Sequence, residues 1–234
     1  MNRRALPVGG LVRFSTVDYP GQLAAVVFCQ GCPWRCGYCH NPGLQPSCAA
    51  SMHAWSDVVA FLAQRRGLLD AVVFSGGEPT LHEGLEAAVR EVRALGFKIG
   101  LHSAGIYPSR LAQLLPLIDW IGLDIKAPFD EYARITGVSR SGDKALAAAR
   151  LVLDSGVDYE FRTTLHAALL SARDVEKLAL QLAALGVRRY VLQTFRAAGC
   201  VNEELIRTTS QMPELPGLVK TLTRRFKHFE LRAA

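Results

Sequence analysis

The interpretation of this chain starts from the run Cys29-Gln-Gly-Cys-Pro-Trp-Arg-Cys-Gly-Tyr-Cys-His-Asn-Pro42. Within it, Cys32, Cys36 and Cys39 have the spacing C-x3-C-x2-C, so three thiols on one loop can converge on a soft metal centre. A cubane iron–sulfur cluster has four irons and usually takes four cysteine ligands. Three cysteines leave one iron without a protein ligand, and that iron can bind a small molecule. The spacing therefore predicts a reactive cluster rather than a structural one.

Zinc binding and disulfide formation are the alternative interpretations of these cysteines. Structural zinc takes four ligands, usually as two separated pairs, and adjacent Cys39 and His40 are poorly placed to bind one ion together. A disulfide framework is a poor match to a chain with a full core in a reducing compartment. The spacing therefore favours a cluster, and we interpret Cys29, Cys48 and Cys200 as plain thiols.

The composition is that of an ordinary globular protein. The chain has 234 residues, of which 50% are hydrophobic and 21% charged, and its net charge is +6. No apolar run is long enough to cross a membrane, and the basic N-terminus lacks the apolar segment of a signal peptide, so we expect a cytoplasmic protein. The basic tail is interpreted as a solvated face, and no nucleic-acid partner is expected because aromatic residues do not interleave with its charges.

Short β-rich runs alternate with amphipathic helical runs along the chain. The predicted strands are Leu23–Cys29, Ala71–Ser75, Phe97–Leu101, Trp120–Asp124, Tyr159–Leu165 and Arg189–Thr194, with a short last strand at His228–Leu231. The predicted helices are Ser56–Arg66, Glu83–Leu95, Asp143–Asp154 and Ser171–Leu185. Ser171 is the predicted N-cap of the last helix, with Asp174 three residues on.

This alternation predicts an α/β fold with a parallel sheet and right-handed crossovers. Six strand–helix units are two short of the closed barrel of eight. The predicted fold is therefore a partial (β/α)6 barrel, similar to an incomplete TIM barrel, in which the chemistry gathers at the carboxyl ends of the strands. We expect a single domain over residues 1–234, with a core at about 8–196 and a helix and strand extension at about 197–234.

A second chemically informative run, Phe74-Ser75-Gly76-Gly77-Glu78-Pro79-Thr80, follows the second predicted strand. Gly76 and Gly77 lack a Cβ, so their backbone can approach a ligand closely. The carboxylate of Glu78 can accept hydrogen bonds from an ammonium group. Alone, the run could be a simple strand-to-helix turn.

Together, the two runs resemble the signature of the radical S-adenosylmethionine (SAM) superfamily. Tyr38 stands at the position of the family's aromatic residue, which lies against adenine, and the glycine pair with Glu78 resembles the family's motif for the SAM amino group. Three further stretches resemble the glycyl-radical-enzyme activating enzymes: Thr16–Gly21, Gly122–Lys126 and Phe161–Thr164. With Cys-His-Asn-Pro after the cluster, the resemblance covers about residues 8–196 and is closest to the anaerobic ribonucleoside-triphosphate reductase activating proteins.

The resemblance implies a reaction and a set of binding residues. Cys32, Cys36 and Cys39 would hold a [4Fe-4S] cluster that cleaves SAM reductively, and the resulting 5′-deoxyadenosyl radical would remove a hydrogen atom from a glycine of a partner enzyme. The residues implied in SAM binding, or along the adjoining surface for a partner peptide, are Tyr38, His40, Gly76, Gly77, Glu78, Ser103, Asp124, Lys126, Arg162 and Arg196.

The implied partner is a glycyl radical enzyme, most specifically anaerobic ribonucleoside-triphosphate reductase, with flavodoxin or ferredoxin as electron donor. Alternatives stay open. One is a radical SAM enzyme acting on a small molecule, such as a modified deazapurine, or on another glycyl radical enzyme such as pyruvate formate-lyase. Another is a zinc or iron–sulfur structural protein that docks nucleic acid through its basic tail.

Two positions depart from the pattern of pyruvate formate-lyase activating enzyme. His102 stands where that relative has an aspartate that helps to bind a monovalent cation, so this cation site is not expected to carry over. Near the sixth predicted strand the relative offers a histidine to SAM, whereas this chain has Phe195-Arg196. Arg196 is the substitute that the alignment of motifs suggests.

Overall fold

The computed structural model describes residues 5–47, 51–209 and 215–233 of the chain. Cys48, for which the sequence predicts a plain thiol, lies outside these described residues. The described strands are β1 (Val8–Ser15), β2 (Ala24–Cys29), β3 (Ala71–Gly76), β4 (Lys98–Ser103), β5 (Trp120–Asp124), β6 (Asp158–Leu165), β7 (Arg189–Thr194) and β8 (His228–Arg232).

Eight α-helices are described. They are α1 (Trp55–Ala63), α2 (Leu85–Ala94), α3 (Pro108–Leu114), α4 (Tyr132–Thr136), α5 (Ser141–Ser155), α6 (Ala172–Ala184), α7 (Glu203–Arg207) and α8 (Leu215–Arg225). None of these described helices is both long and apolar enough to cross a membrane.

The strands of the described ranges form one sheet in sequence order, from β1 to β8. Strands β2 to β8 run parallel, and β1 pairs antiparallel with β2. Strands β2 to β7 and their following helices supply six strand–helix units, and no pairing joins β1 to β8 within the described residues. The predicted partial barrel is confirmed, with one strand added at each edge.

The sheet has a helix-facing side and an inner side, because successive strand residues alternate in direction. The large core cluster lies between sheet and helices and includes Val27, Phe74 and Ile121. A smaller inner cluster includes Val26, Val73 and Trp120, with Tyr19 stacked on Trp120 at a ring distance of 5.2 Å. The inner apolar cluster fills the amino-terminal half of strands β2, β3 and β5 and leaves their carboxyl ends for polar side chains.

Local signals account for many element boundaries. The Ser171 side chain accepts from the Asp174 N–H, and the Asp174 carboxylate accepts from the Ser171 N–H, which confirms the predicted cap. The predicted strands Trp120–Asp124 and Arg189–Thr194 have the observed bounds. Strand β1 is not among the predicted strands, because Gly9-Gly10 interrupts its apolar pattern and much of it is exposed.

Candidate functional site

The residues implied in chemistry lie on the connections and strand ends at one edge of the sheet. The cysteine loop, defined here as residues 30–47, follows β2, and the Gly76–Glu78 turn follows β3. Ser103 ends β4, Asp124 ends β5, Arg162 lies in β6, and Arg196 follows β7. Because the carboxyl ends of parallel strands meet at one edge, residues far apart in sequence share one site.

Backbone hydrogen bonds hold the cysteine loop in place. The Gly31 N–H donates to the Leu44 carbonyl at 2.6 Å, and the Cys32 N–H donates to the Gln45 carbonyl at 3.0 Å. These two bonds join the start of the loop to its own end. Farther along, the Arg35 N–H donates to the carbonyl of Thr136, the last residue of α4, at 3.0 Å.

The three loop cysteines are half-buried free thiols. Burial raises the pKa of Cys32 to about 12, against a smaller opposing effect of the Lys126 charge. Burial also raises the pKa of Cys36, on which the Lys126 charge has a lowering effect and Cys39 a raising effect. Cys36 therefore lies within electrostatic reach of the other two cysteines, and the Lys126 charge opposes the effect of burial on Cys32 and Cys36.

A cubane cluster and a single zinc ion place different demands on the positions of the loop cysteines. Among the residues that the structure describes, no group of three or more His, Cys, Asp or Glu side chains is arranged to hold one metal ion. A cubane cluster distributes its cysteine ligands over different irons, so its thiols need not converge as closely as the ligands of one ion. Three free, half-buried thiols on one loop can supply the three cysteine ligands of such a cluster.

The glycine pair lets strand β3 approach the cysteine loop. A Cβ on Gly76 would collide with the Cys29 backbone, and a Cβ on Gly77 would collide with the Gly31 carbonyl. The Gly77 N–H donates to the Cys29 carbonyl at 2.9 Å, and the Glu78 N–H donates to the Gly31 carbonyl at 2.9 Å. The glycines therefore allow the turn after β3 to pack directly against the cysteine loop. The sequence pattern had predicted a close approach of this backbone to a ligand.

The Glu78 carboxylate is fully buried and accepts four hydrogen bonds. Its Oε1 atom accepts from the Thr80 N–H at 3.0 Å, the Thr80 hydroxyl at 2.5 Å and the Ser103 hydroxyl at 2.8 Å. Its Oε2 atom accepts from the Ala104 N–H at 2.9 Å. Burial raises the pKa of Glu78, although all four hydrogen bonds oppose that shift. Glu78 and Ser103 thus tie the end of β3 to the end of β4.

Asp124 joins two cations at the ends of β5 and β6. Its Oδ1 atom lies 2.9 Å from Arg162 Nη2, and its Oδ2 atom lies 3.6 Å from Lys126 Nζ. Burial acts to raise the pKa of Asp124, but Arg162 and Lys126 outweigh it and lower that pKa. Both cationic side chains are only 11% exposed, whereas Asp124 is 34% exposed. The group carries one more positive than negative charge.

Tyr38 lies beneath Lys126. The Lys126 Nζ atom is 5.3 Å from the centre of the Tyr38 ring and 3.4 Å from its hydroxyl oxygen. Burial acts to lower the pKa of Lys126, but Tyr38, Cys36 and Asp124 raise it well above its ordinary value. Lys126 is therefore a cation between the cysteine loop and the β5 carboxylate.

His102 is a neutral, half-buried side chain of the inner barrel face. Its Nε2 atom donates to the Asp18 carbonyl at 2.8 Å, and its Nδ1 atom lies 3.3 Å from the Ser75 hydroxyl. Burial and the Arg162 charge lower the pKa of His102 to about 3. His40 and Arg196 also come together, since His40 Nε2 lies 2.9 Å from the Arg196 carbonyl oxygen.

Three supporting residues escaped the sequence analysis. Tyr132 donates to the Asp124 carbonyl at 3.2 Å and accepts from the Lys126 N–H at 2.9 Å, so it fixes that turn. The Thr80 hydroxyl donates to the Glu78 carboxylate, and its position two residues after Glu78 is the sequence feature that could have predicted this contact. Phe195 stacks on His40 at 5.5 Å, a contact that only the fold reveals.

Comparison with known proteins agrees with this geometry. The family model described as the Radical SAM superfamily matches residues 26–182. A Methanocaldococcus jannaschii protein, provisionally named a glycyl-radical enzyme activating enzyme, is 30% identical over 207 residues, covering 84% of this chain and 83% of its own. The chain therefore belongs to the radical SAM superfamily and, within it, to the family of glycyl-radical-enzyme activating enzymes.

More distant similarities extend this comparison. The pyruvate formate-lyase-activating enzyme of Clostridium pasteurianum is 33% identical over 132 residues, covering 54% of this chain and 55% of that protein. The crystal structure of Streptococcus suis SuiB bound to precursor peptide SuiA superposes with a TM-score of 0.66 at 15% identity, covering 87% of this chain and 47% of that one. That likeness concerns the fold. Radical SAM enzymes use a [4Fe-4S] cluster and SAM, in accord with the cluster predicted from the cysteine spacing and the SAM implied by the resemblance.

Proposed function

We propose that this chain activates a glycyl radical enzyme by reductive cleavage of SAM. The observation that carries the proposal is the interlock of the cysteine loop with the glycine turn at the carboxyl end of the sheet. The proposal is supported by three free thiols on the cysteine loop, by the contact of that loop with the Gly-Gly-Glu turn, and by the Asp124–Lys126–Arg162 group. The activating-enzyme relative, which matches most of the chain, supports the same activity.

Cys32, Cys36 and Cys39 would hold the cluster as thiolates, and the Lys126 charge partly offsets the burial that raises the pKa of Cys32 and Cys36. When bound and reduced, the cluster supplies the electron that cleaves SAM to methionine and a 5′-deoxyadenosyl radical, which abstracts hydrogen from a glycine Cα. The chain itself binds, orients and shields the reactants.

The SAM site would draw on both halves of this edge of the sheet. Lys126 and Arg162 offer cationic groups, with Asp124 setting their separation. Gly76 and Gly77 would present backbone to the SAM amino group, and Glu78 would act mainly by fixing that backbone, because internal donors already fill its carboxylate. Tyr38 would lie on the adenine side, and His40 and Arg196 close the site beside it.

The partner would be a protein whose glycine reaches the inner side of the open sheet. Strands β1 and β8 do not pair with each other within the described residues, and an opening there would give such a loop a route. Motif resemblance favours anaerobic ribonucleoside-triphosphate reductase, and the pyruvate formate-lyase-activating relatives make formate-lyase the second candidate. We propose that the activase works in the cytoplasm as a single domain of residues 1–234, with flavodoxin or ferredoxin as electron donor and without nucleic acid.

The test is anaerobic reconstitution with iron and sulfide, followed by reduction and addition of SAM. We expect 5′-deoxyadenosine from wild type and none from Cys36→Ala, with Cys29→Ala as the control because its thiol is buried in the helix-facing core. Candidate glycyl radical enzymes are then added, and a glycyl signal is sought by electron paramagnetic resonance. Cleavage without a protein radical would favour a small-molecule substrate, and bound zinc without SAM cleavage would refute the proposal.

A further inference from the structure

The two halves of the cysteine loop are anchored to different parts of the fold. The first half, which carries Cys32, is fixed to the end of its own loop and to the glycine turn through Gly31. The second half, residues 36–40, carries Cys36 and Cys39. Apart from the contact of Tyr38 with Lys126, its tertiary contacts are made with the segment after β7, residues 195–202, which we name the strap.

A hydrogen bond and a ring contact connect His40 to the strap. His40 Nε2 lies 2.9 Å from the Arg196 carbonyl oxygen. A carbonyl oxygen only accepts, so the Nε2 atom carries the proton and donates it. The His40 ring is stacked on Phe195 with a centroid distance of 5.5 Å and an interplanar angle of 28°. His40 therefore has two separable contacts, one polar and one apolar, with the start of the strap.

The rest of the strap closes over the same half of the loop. Gly199 lies against the His40 carbonyl, where a Cβ would collide with the oxygen, and its φ of +87° also favours glycine. The Cys200 thiol lies 3.7 Å from the Gly37 carbonyl oxygen. The strap is itself fixed, because Phe195 packs edge-on against buried His166 at 5.0 Å.

We propose that the strap is a positioning device for the cluster, with His40 as its anchor on the loop. It holds the second half of the loop so that Cys36 and Cys39 stay in ligating position, while the glycine turn does the same for Cys32. The inference rests on the proposed cluster, and it assigns His40 to the strap in addition to the adenine side implied by the resemblance. His40 acts through its neighbour Cys39 and is a positioning residue.

Two substitutions separate the contacts of His40. His40→Gln keeps a side-chain N–H donor for the Arg196 carbonyl and removes the ring. His40→Phe keeps a ring on Phe195 and removes the donor. His228→Phe serves as a matched control, because His228 is an exposed histidine on β8.

The measurement is the rate at which iron passes from the anaerobically reconstituted enzyme to a coloured chelator. Loss of a supporting hydrogen bond near a metal ligand typically weakens metal binding about tenfold or more, so we expect iron release from His40→Phe to be faster by about that factor. His40→Gln should restore slow release, and His228→Phe should match wild type. The electron paramagnetic resonance spectrum of the reduced cluster with SAM should change most in His40→Phe and least in His228→Phe.

A second readout does not require the cluster. Hydrogen exchange of the cluster-free chain should show faster exchange of residues 37–40 in His40→Phe, with the urea midpoint unchanged. Equal iron release and equal exchange in wild type and His40→Phe would overturn the strap assignment. A wild-type protein that binds no iron would instead refute the proposed function, so the two failures are distinguishable.

Discussion

The Ser103 hydroxyl donates to Glu78 Oε1 at 2.8 Å and thereby joins the ends of two neighbouring strands. Ser103 also accepts from the Gly105 N–H at 3.0 Å, so one hydroxyl orders both the carboxylate and the turn after β4. The family resemblance implies that the pair contacts SAM. The structure gives both residues internal hydrogen-bond partners, so both support the backbone at the site.

Glu78→Gln should destabilise the protein. If the amide oxygen keeps the donors that face Oε1, the new NH2 group points at the Ala104 N–H, and a buried donor is left unpaired. An unsatisfied buried donor costs about 1–3 kcal/mol, which urea unfolding would measure. Glu83→Gln is the control, because that side chain is 79% exposed and its salt bridge with Arg110 spans 3.6 Å. Equal unfolding midpoints for the two variants would contradict this role of Glu78.

Gly77→Ala should displace the cysteine loop. The new Cβ would overlap the Gly31 carbonyl, which belongs to the backbone and cannot rotate away. Forced overpacking typically costs about 1–3 kcal/mol, and the loop shift should also reduce the iron bound after reconstitution. Gly43→Ala is the matched control, since Gly43 lies in the same loop without a positive φ, and no atom of the described residues lies within 4 Å of the Cβ that alanine would add. Wild-type iron content in Gly77→Ala would count against the interlock.

Asp124→Asn should weaken both folding and SAM binding. It leaves Arg162 and Lys126, each 11% exposed, without their shared carboxylate. A hydrogen bond to a charged group contributes about 1.5–3 kcal/mol, and the partial exposure of Asp124 places the expected loss toward the lower end. Unfolding and SAM titration monitored by the cluster spectrum would measure the two effects. Asp143→Asn, which alters an exposed ion pair with Arg140, should change neither.

Acidification should destabilise the protein through His102. Burial lowers its folded pKa to about 3, whereas an unfolded histidine titrates near pH 6.5. Between these values the unfolded state binds more protons, so the free energy of unfolding falls as the pH drops below about 6.5. The slope for one such group is at most about 1.4 kcal/mol per pH unit.

His102→Gln isolates that contribution. The amide can still donate to the Asp18 carbonyl, but it does not titrate. The stability difference between the variant and wild type, measured by urea unfolding at pH 7 and pH 5, should shift in favour of the variant at the lower pH. Parallel loss of stability in the two proteins would show that the pKa of His102 is not lowered in the folded state.

Sequence patterns were sufficient where structure is local. The strands Trp120–Asp124 and Arg189–Thr194 are continuous apolar runs with polar ends, and Ser171 is followed by the acidic partner of its cap. Short helices such as α4 and α7 were missed, because five residues carry too little periodicity to predict a helix.

The sequence was sufficient to predict which residues belong to the candidate site, but not which of them contact one another. The cysteine spacing and the glycine pair point to their chemistry without any fold. The partners of Glu78, the hydroxyl of Tyr132 beneath the Asp124–Lys126 turn, and the Phe195 ring on His40 depend on which strand ends become neighbours. Those contacts are tertiary, so no local pattern in a single sequence encodes them.

The open sheet also has a consequence for handling the protein. Strand β1 is an edge strand with Val12 and Phe14 exposed, and such edges are templates for pairing with another chain. Its register shifts between Val8 and Gly10 and between Val12 and Ser15 twist the edge and limit that pairing. Because Val12 and Phe14 nevertheless stay exposed, concentrated preparations should aggregate first through β1, and a charged residue in place of Phe14 should improve solubility.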